Sequence, residues 1–414
     1  MNQHMKQAMF PDFSSEEYEG RWARARKILK AAGIDALLLS NQENLRYFAG
    51  FHEGAWCCKH FYFFMLLPAD ETIAPCLIFA NLFQNLAKVS WVKEAHYWPW
   101  PTAFYMSHET NAVPLIVDVL KQKRLSEAVL GLEMGANMHH GLGAEHFDQL
   151  RGALSKAKIV NATNAIWDVR AIKSPAELDR LRKASAISCQ GVKAGFEALK
   201  PGVTERQIAG IMHEVMFGAG ATETGLMCVY AGPRLMWADS TPSDYKIQKG
   251  DVIQFDGGCL YDGYWSDFKR MAAIGEPRSE QRRYFELAKQ GLEASLAVMK
   301  AGACAGDIFH AAFEVNNNAG HRAFSDWCLA NGLRAIGHSI GLNIHEHPGL
   351  SYESTLKLQE DMAFAVEPFI TLNGHIPFHE APEKYGLEDN VIVTKDGIEV
   401  MTKEEYVTHE LWIA

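Results

Sequence analysis

The sequence predicts an α/β unit over residues 1–167 followed by an α+β unit over 168–414, the second built on a curved, mainly antiparallel sheet with helices on its outside. Three observations carry that expectation. The chain has 414 residues, more than one hydrophobic core comfortably supports. Its first part alternates helical periodicity with short apolar runs. From about residue 226 the pattern is mostly strands, interrupted by one helix pair at roughly 280 to 332.

In the first unit, "SSEEYEGRWARARKILKAAGI" reads as a helix with Gly33 as its C-cap, and "DALLLS" as the strand after it. Apolar runs at "FYFFMLLP", "APCLIFA", "AVLGLEM" and "AKIVNA" alternate with helical stretches such as "AVPLIVDVLKQKR", which predicts a parallel or mixed sheet. The second unit opens on a capping box: Ser174 at the N-cap, Pro175 at the first helical position, Glu177 at the third. Thr204 and Gln207 repeat the arrangement. Strands are then expected at "LMCVYAG", "VIQFDGG", "YWSDFKRMAAI", "AFAVEPFI" and "EDNVIVT".

Composition narrows the partners. With 48% hydrophobic and 22% charged residues the chain is an ordinary globular one. A net charge of −10, from 40 basic and 50 acidic residues, lacks the basic footprint that nucleic acid requires. The first twenty residues contain no apolar core of signal-peptide length, and the run at "HFYFFMLLPAD" is too short to span a bilayer, so no membrane association and a cytoplasmic location are expected. Eight cysteines without paired CxxC spacing read as buried thiols in a reducing compartment, the adjacent Cys57 and Cys58 included.

The chemistry concentrates in "GDVIQFDGGCLYDGYWSDFKRM". Asp262-Gly263 is a strong two-residue hairpin turn. In that register residue 267 faces residue 258, and residue 256 shares its face because strand side chains repeat every two positions. Asp256 and Asp267 thus become neighbours on a core-facing surface, where two like charges repel unless a proton or cation lies between them. Elsewhere "GHSIGLNIHEHPG" supplies His338, His345 and His347, "FAVEPFI" supplies Glu367 and "GLEDNVIVT" supplies Glu388. Four carboxylates and an imidazole, each tied to a strand of one sheet, suit a pair of borderline divalent ions such as Mn, Co, Fe or Zn. Four negative charges balance two such ions.

The order Asp256, Asp267, His338 in "GHxxGL", Glu367 in "VEP" and Glu388 in "EDxVxVT" resembles the pita-bread metallohydrolases, namely methionine aminopeptidase, prolidase, aminopeptidase P and creatinase. The first half, through "NLRYFAGF", more loosely resembles the creatinase and prolidase N-domain. The resemblance implies the two-domain creatinase/prolidase architecture and a homodimer. It implies that Asp256 chelates one metal, that His338 and Glu367 chelate the other, and that Asp267 and Glu388 bridge both. It also implies a hydrolase of a C–N bond in a dipeptide or small amide, with Glu367 moving the proton and His345 meeting the substrate carbonyl. His347 and His375 are expected at the surface or rim.

Three positions depart from the family pattern. Asp239 stands where prolidase-like enzymes commonly carry a histidine. Gly386 and Gly349 stand where arginines read a dipeptide's carboxylate. Asp239 would favour a cationic substrate group and Trp237 could pack on it, which tilts the expectation modestly toward a non-peptide amide of the creatine or ectoine kind. Two other readings remain open. One is a metal-dependent lyase on the same fold, acting on dimethylsulfoniopropionate, whose branch carries a further carboxylate where this chain has Gly258. The other is a metal-free binding module. The aromatic stretch "FHEGAWCCKHFYF" is a candidate pocket wall.

Overall fold

The computed structural model describes residues 2–51, 62–99, 112–135, 138–236, 240–402 and 407–414. Contacts divide the chain after Arg170, into a unit up to that residue and a unit Ala171–Ala414.

The first unit runs α1 (Ser15–Ala32), β1 (Ala36–Leu39), α2 (Gln42–Ala49), β2 (Phe63–Pro68), β3 (Cys76–Ala80), β4 (Glu94–Trp98), α3 (Val113–Gln122), β5 (Val129–Leu132), α4 (Ala144–Ala153), β6 (Lys158–Asn161) and α5 (Thr163–Ala171). Gly33 ends α1 in the left-handed conformation at φ 66, as expected. The strands form one mixed sheet in the order β4-β3-β2-β1-β5-β6, with β1–β2 and β2–β3 antiparallel and the other pairs parallel. β1, β2 and β3 are buried along their whole length, which is why they read as continuous apolar runs and not as alternating ones.

The second unit begins with α6 (Pro175–Glu197) and α7 (Glu205–Gly218), both entered through the expected capping boxes at Ser174 and Thr204. After β7 (Glu223–Ala231) come β8 (Val252–Tyr261), β9 (Tyr264–Trp265) and β10 (Phe268–Ala273). Where the sequence predicts a helix pair there are three helices, α8 (Ser279–Val298), α9 (Ala305–Asn318) and α10 (Arg322–Ala330). Glycines at positive φ, Gly302 at 86 and Gly320 at 90, separate them. The tail carries β11 (Ala335–Ser339), β12 (Glu346–Ser351), β13 (Ala363–Val366), β14 (Phe369–Thr371), β15 (Lys384–Gly386), β16 (Asp389–Val393), β17 (Ile398–Val400) and β18 (Trp412–Ile413). Pro368, which has no N–H to donate, falls between β13 and β14.

Two five-stranded sheets result. One has the order β18-β10-β8-β7 with β9 paired to β8; the other is β12-β11-β13-β16-β17. All their pairs are antiparallel except β10–β18. Each sheet has its own apolar core against helices: Val192, Phe196, Ile208 and Met212 of α6 and α7 pack with Phe255 and Phe268, while Phe285, Leu292, Phe309 and Phe313 of α8 and α9 pack with Phe364 and Val391. Fully burying one such side chain contributes about 1.5–3 kcal/mol, so the helical layers fix both sheets firmly. The sheets meet at an isolated antiparallel bridge between Lys269 and Glu388, with Lys269 N–H donating to Glu388 O at 3.3 Å and Glu388 N–H returning to Lys269 O at 3.2 Å.

Candidate metal centre

The functional side chains gather around that bridge. Asp262 and Gly263 form the expected turn with φ of 48 and 80, both positive as a type I′ hairpin requires. Its register holds from Tyr261↔Tyr264 through Leu260↔Trp265 to Phe268↔Gly257 and Lys269↔Asp256. Asp256 lies on β8, and Asp267 immediately precedes β10. His338 is on β11, Glu367 follows β13, and Glu388 precedes β16. Donor atoms of Asp256, Asp267 and Glu388 lie within 4.8 Å of one another, as do those of His338, Glu367 and Glu388, and those of Asp267, His338 and His345. All five expected ligands therefore converge on one place, with His345 beside them.

The backbone around Asp267 is held by buried Asn390. Its Oδ1 accepts from Asp267 N–H at 3.0 Å and from the hydroxyls of Ser185 and Ser266, each at 3.2 Å. Its amide donates back to Asp267 O. Behind Glu388, the guanidinium of buried Arg270 donates to Glu388 O at 2.7 Å, to Lys269 O at 3.0 Å and to Asp389 Oδ1 at 2.7 Å. Asp389 also accepts from Thr402 and is paired with His409, both at 2.7 Å. Burial opposes the charge on Asp389, but Arg270 and these hydrogen bonds hold its carboxyl well below the usual range.

His345 is exposed, and its ring centroid stands 4.2 Å from that of His338 with the planes nearly perpendicular. Its loop is fixed by the following residue, Glu346, which accepts from Asn343 N–H at 3.2 Å and pairs with buried Lys173 at 2.9 Å. His347 is exposed and His375 half-buried, in keeping with rim positions. Trp237, Asp239, Cys57, Cys58 and most of the aromatic stretch (52–61) lie outside the described residues.

The side chain that sequence reasoning missed is Lys269. Its Nζ lies 3.1 Å from Asp256 Oδ2, 3.1 Å from Glu367 Oε2 and 3.2 Å from Glu388 Oε2. The signal was available, since the register that sets 267 opposite 258 sets 269 opposite 256. Burial opposes the ammonium charge, but Asp256, Glu388, Glu367 and Asp267 together hold its pKa well above the ordinary lysine value. Burial, then the neighbouring Asp267 charge, pushes the Glu388 carboxyl well up. Asp256 is raised by burial despite Lys269, whereas at Glu367 the charges of Lys269 and His338 outweigh burial and lower it. Burial brings His338 down to about 4, so its imidazole is neutral at pH 7 and available as a ligand.

At the His338 end the donors fit a divalent ion. Nε2 of His338 is buried with no hydrogen-bond partner among the described residues, 3.6 Å from both Asp267 Oδ2 and Glu367 Oε1. One imidazole among carboxylates is a donor set for Mn, Co, Fe or Zn. At the Asp256 end the same kind of oxygens converge on Lys269.

Comparison with known proteins places the chain in a family. Residues 179–395 match the model of metallopeptidase family M24, and residues 21–172 match the creatinase/prolidase N-terminal domain. The chain is 27% identical to an Xaa-Pro dipeptidase of Lactobacillus helveticus over 381 residues, covering 90% of this chain and 94% of that protein. It is 30% identical to an Xaa-Pro dipeptidase of Pyrococcus furiosus over 246 residues, or 58% of this chain and 66% of that protein. The crystal structure of dipeptidase PepE from Mycobacterium ulcerans superposes with a TM-score of 0.80 at 26% identity, covering 97% of this chain and 99% of that one. The fold is the two-domain pita-bread fold of prolidases and aminopeptidase P. With these acids and an imidazole assembled between two sheets, the chain is a metallohydrolase belonging to metallopeptidase family M24.

Proposed function

We propose that this protein hydrolyses the C–N bond of a dipeptide with proline second, using a divalent ion of the Mn, Co, Fe or Zn class held by residues among Asp256, Asp267, His338, Glu367 and Glu388. The single observation that carries this is the convergence of those five side chains on the Lys269–Glu388 bridge. The relatives named Xaa-Pro dipeptidase favour the dipeptide side of the substrate expectation. Gly386 and Gly349 offer no side chain to a substrate carboxylate. Lys384, whose ammonium is 5.7 Å from the Tyr230 ring centroid, supplies positive charge at the Asp256 edge.

A divalent ion in this site lowers the pKa of water and polarises a carbonyl. The chain's own groups do the rest. Glu367 accepts the proton of the attacking water, whose oxygen bonds to the carbonyl carbon, and delivers that proton to the nitrogen as the C–N bond breaks. His345, at the open side of His338, donates a hydrogen bond to the carbonyl oxygen as its charge grows. Apolar side chains behind each sheet keep water from the rear of the cluster.

The lyase reading loses support at Gly258, where an added Cβ would stand 2.4 Å from Ser266 O, so the further carboxylate of that branch does not fit. A cytoplasmic location and a homodimer are part of the proposal. Six free cysteines among the described residues support the reducing compartment. No helix among the described residues is long and apolar enough to cross a membrane.

The test is to load the protein with Mn, Co, Fe or Zn and assay a panel of Xaa-Pro dipeptides beside small cyclic and N-acyl amides. Release of free proline at ordinary enzymatic rates is expected. Turnover confined to the non-peptide amides would overturn the dipeptide reading.

A further inference from the structure

We propose that Lys269 is a built-in second cation: its ammonium holds the position between Asp256 and Glu388, and the chain binds one divalent ion, at the His338 end of the cluster, where the family resemblance implies two. The proposal deepens the hydrolase reading and rests on it only in supposing that this cluster binds a divalent ion.

Three carboxylate oxygens stand around Nζ at 3.1, 3.1 and 3.2 Å, from Asp256, Glu367 and Glu388, and the ammonium donates a hydrogen bond to Glu367 Oε2. Glu367 divides its oxygens between the two cation positions, Oε2 toward Lys269 and Oε1 toward Nε2 of His338 at 3.6 Å. Asp267 Oδ2 lies 3.6 Å from the same imidazole nitrogen, and donor atoms of Asp267, His338 and His345, like those of His338, Glu367 and Glu388, lie within 4.8 Å of one another, so His338 and its neighbours remain for a metal.

The lysine already supplies one positive charge inside the cluster of four carboxylates, at the place where the resemblance implies a second ion.

Nor is the lysine free to swing out. Only 8% of Lys269 is exposed. Its backbone is paired on one side with Asp256 of β8 and on the other with Glu388 through the bridge joining the sheets. Its stem runs past Gly386, where an added methyl group would stand 3.5 Å from Cδ.

The test is a count of ions. Metal-free protein is titrated with Mn(II) by calorimetry, and the ions retained after gel filtration are measured by elemental analysis, for wild type, Lys269→Met and Lys269→Ser. One ion per chain is expected for wild type, with the six-line electron paramagnetic resonance spectrum of an isolated Mn(II). Two ions with an exchange-coupled spectrum are expected for the variants. Wild type holding two ions or none, or folded variants holding one, would overturn the proposal. Should the variants not fold, the wild-type count alone decides. Because the count uses no substrate, failure of the dipeptide reading shows separately, as one bound ion without proline release.

Discussion

Lys269 stands directly across from Asp256 on neighbouring antiparallel strands, and its ammonium lies 3.1 Å from the aspartate's Oδ2. The pair occupies the seam between the two sheets, so it neutralises charge where the fold is least able to tolerate it. In metal-free protein Lys269→Met leaves Asp256, Glu367 and Glu388 without their ammonium. Removing one partner of a buried ionic cluster destabilises by about 3–5 kcal/mol. We expect a lowered urea midpoint for the variant in EDTA and a much smaller difference with saturating Mn(II), when the ion replaces the lost charge. Equal midpoints in EDTA would mean the ammonium does not neutralise the cluster.

Asn390 fixes Asp267 from behind through both its amide atoms. Asn390→Ala removes these bonds and strands buried groups on Ser185 and Ser266, a loss of about 2–3 kcal/mol. Metal affinity should weaken because Asp267 loses its orientation, and proline release should fall about 10-fold to 100-fold. Asp267→Ala, which removes the ligand itself, should abolish turnover with the circular dichroism spectrum unchanged. Calorimetric metal binding checks both; unaltered affinity in Asn390→Ala would leave the amide a purely structural group.

His345 distinguishes substrate contact from metal ligation. Its exposed ring meets His338 edge to face, at a centroid distance of 4.2 Å. If it stabilises the developing oxyanion, His345→Ala should lower kcat about 100-fold with metal affinity nearly unchanged. A parallel loss of metal affinity would make His345 a ligand alongside Asp267 and His338, a grouping the structure also permits.

Much of this was legible in the chain. Period-two alternation and the Asp262-Gly263 turn give the hairpin and its register. Capping boxes at Ser174 and Thr204 give two helix starts to the residue. The five candidate ligands were visible as acids and an imidazole embedded in apolar strands, because such residues are buried only with a partner. Lys269 escaped because a lysine is ordinarily solvated, so the cross-strand rule was applied to the acids alone. Asn390 escaped for a different reason: its partners at positions 185, 266 and 267 are distant in sequence, and nothing local announces them. The third helix of the 280–332 region was hidden by its brevity, nine residues against twenty for α8.

The first unit carries a pH dependence of its own. The half-buried His140 ring lies 6.0 Å from the ring centroid of Phe64 and 6.2 Å from that of Phe147, and its Nε2 has no hydrogen-bond partner among the described residues. Burial pushes its pKa down to about 4. The folded state therefore prefers the neutral ring, while the unfolded chain takes up a proton near the ordinary value of about 6.5. A depressed folded pKa gives stability that is present above the unfolded pKa and lost as pH falls toward the folded one. Between pH 7 and pH 4 this group should remove about 1–2 kcal/mol from the unit, after allowance for its partial exposure. His140→Phe, which keeps the aromatic packing and cannot protonate, should lose less stability over that interval. Urea midpoints for the transition of this unit, followed at several pH values for both proteins, measure the difference; parallel curves would show that His140 titrates alike in the folded and unfolded chain.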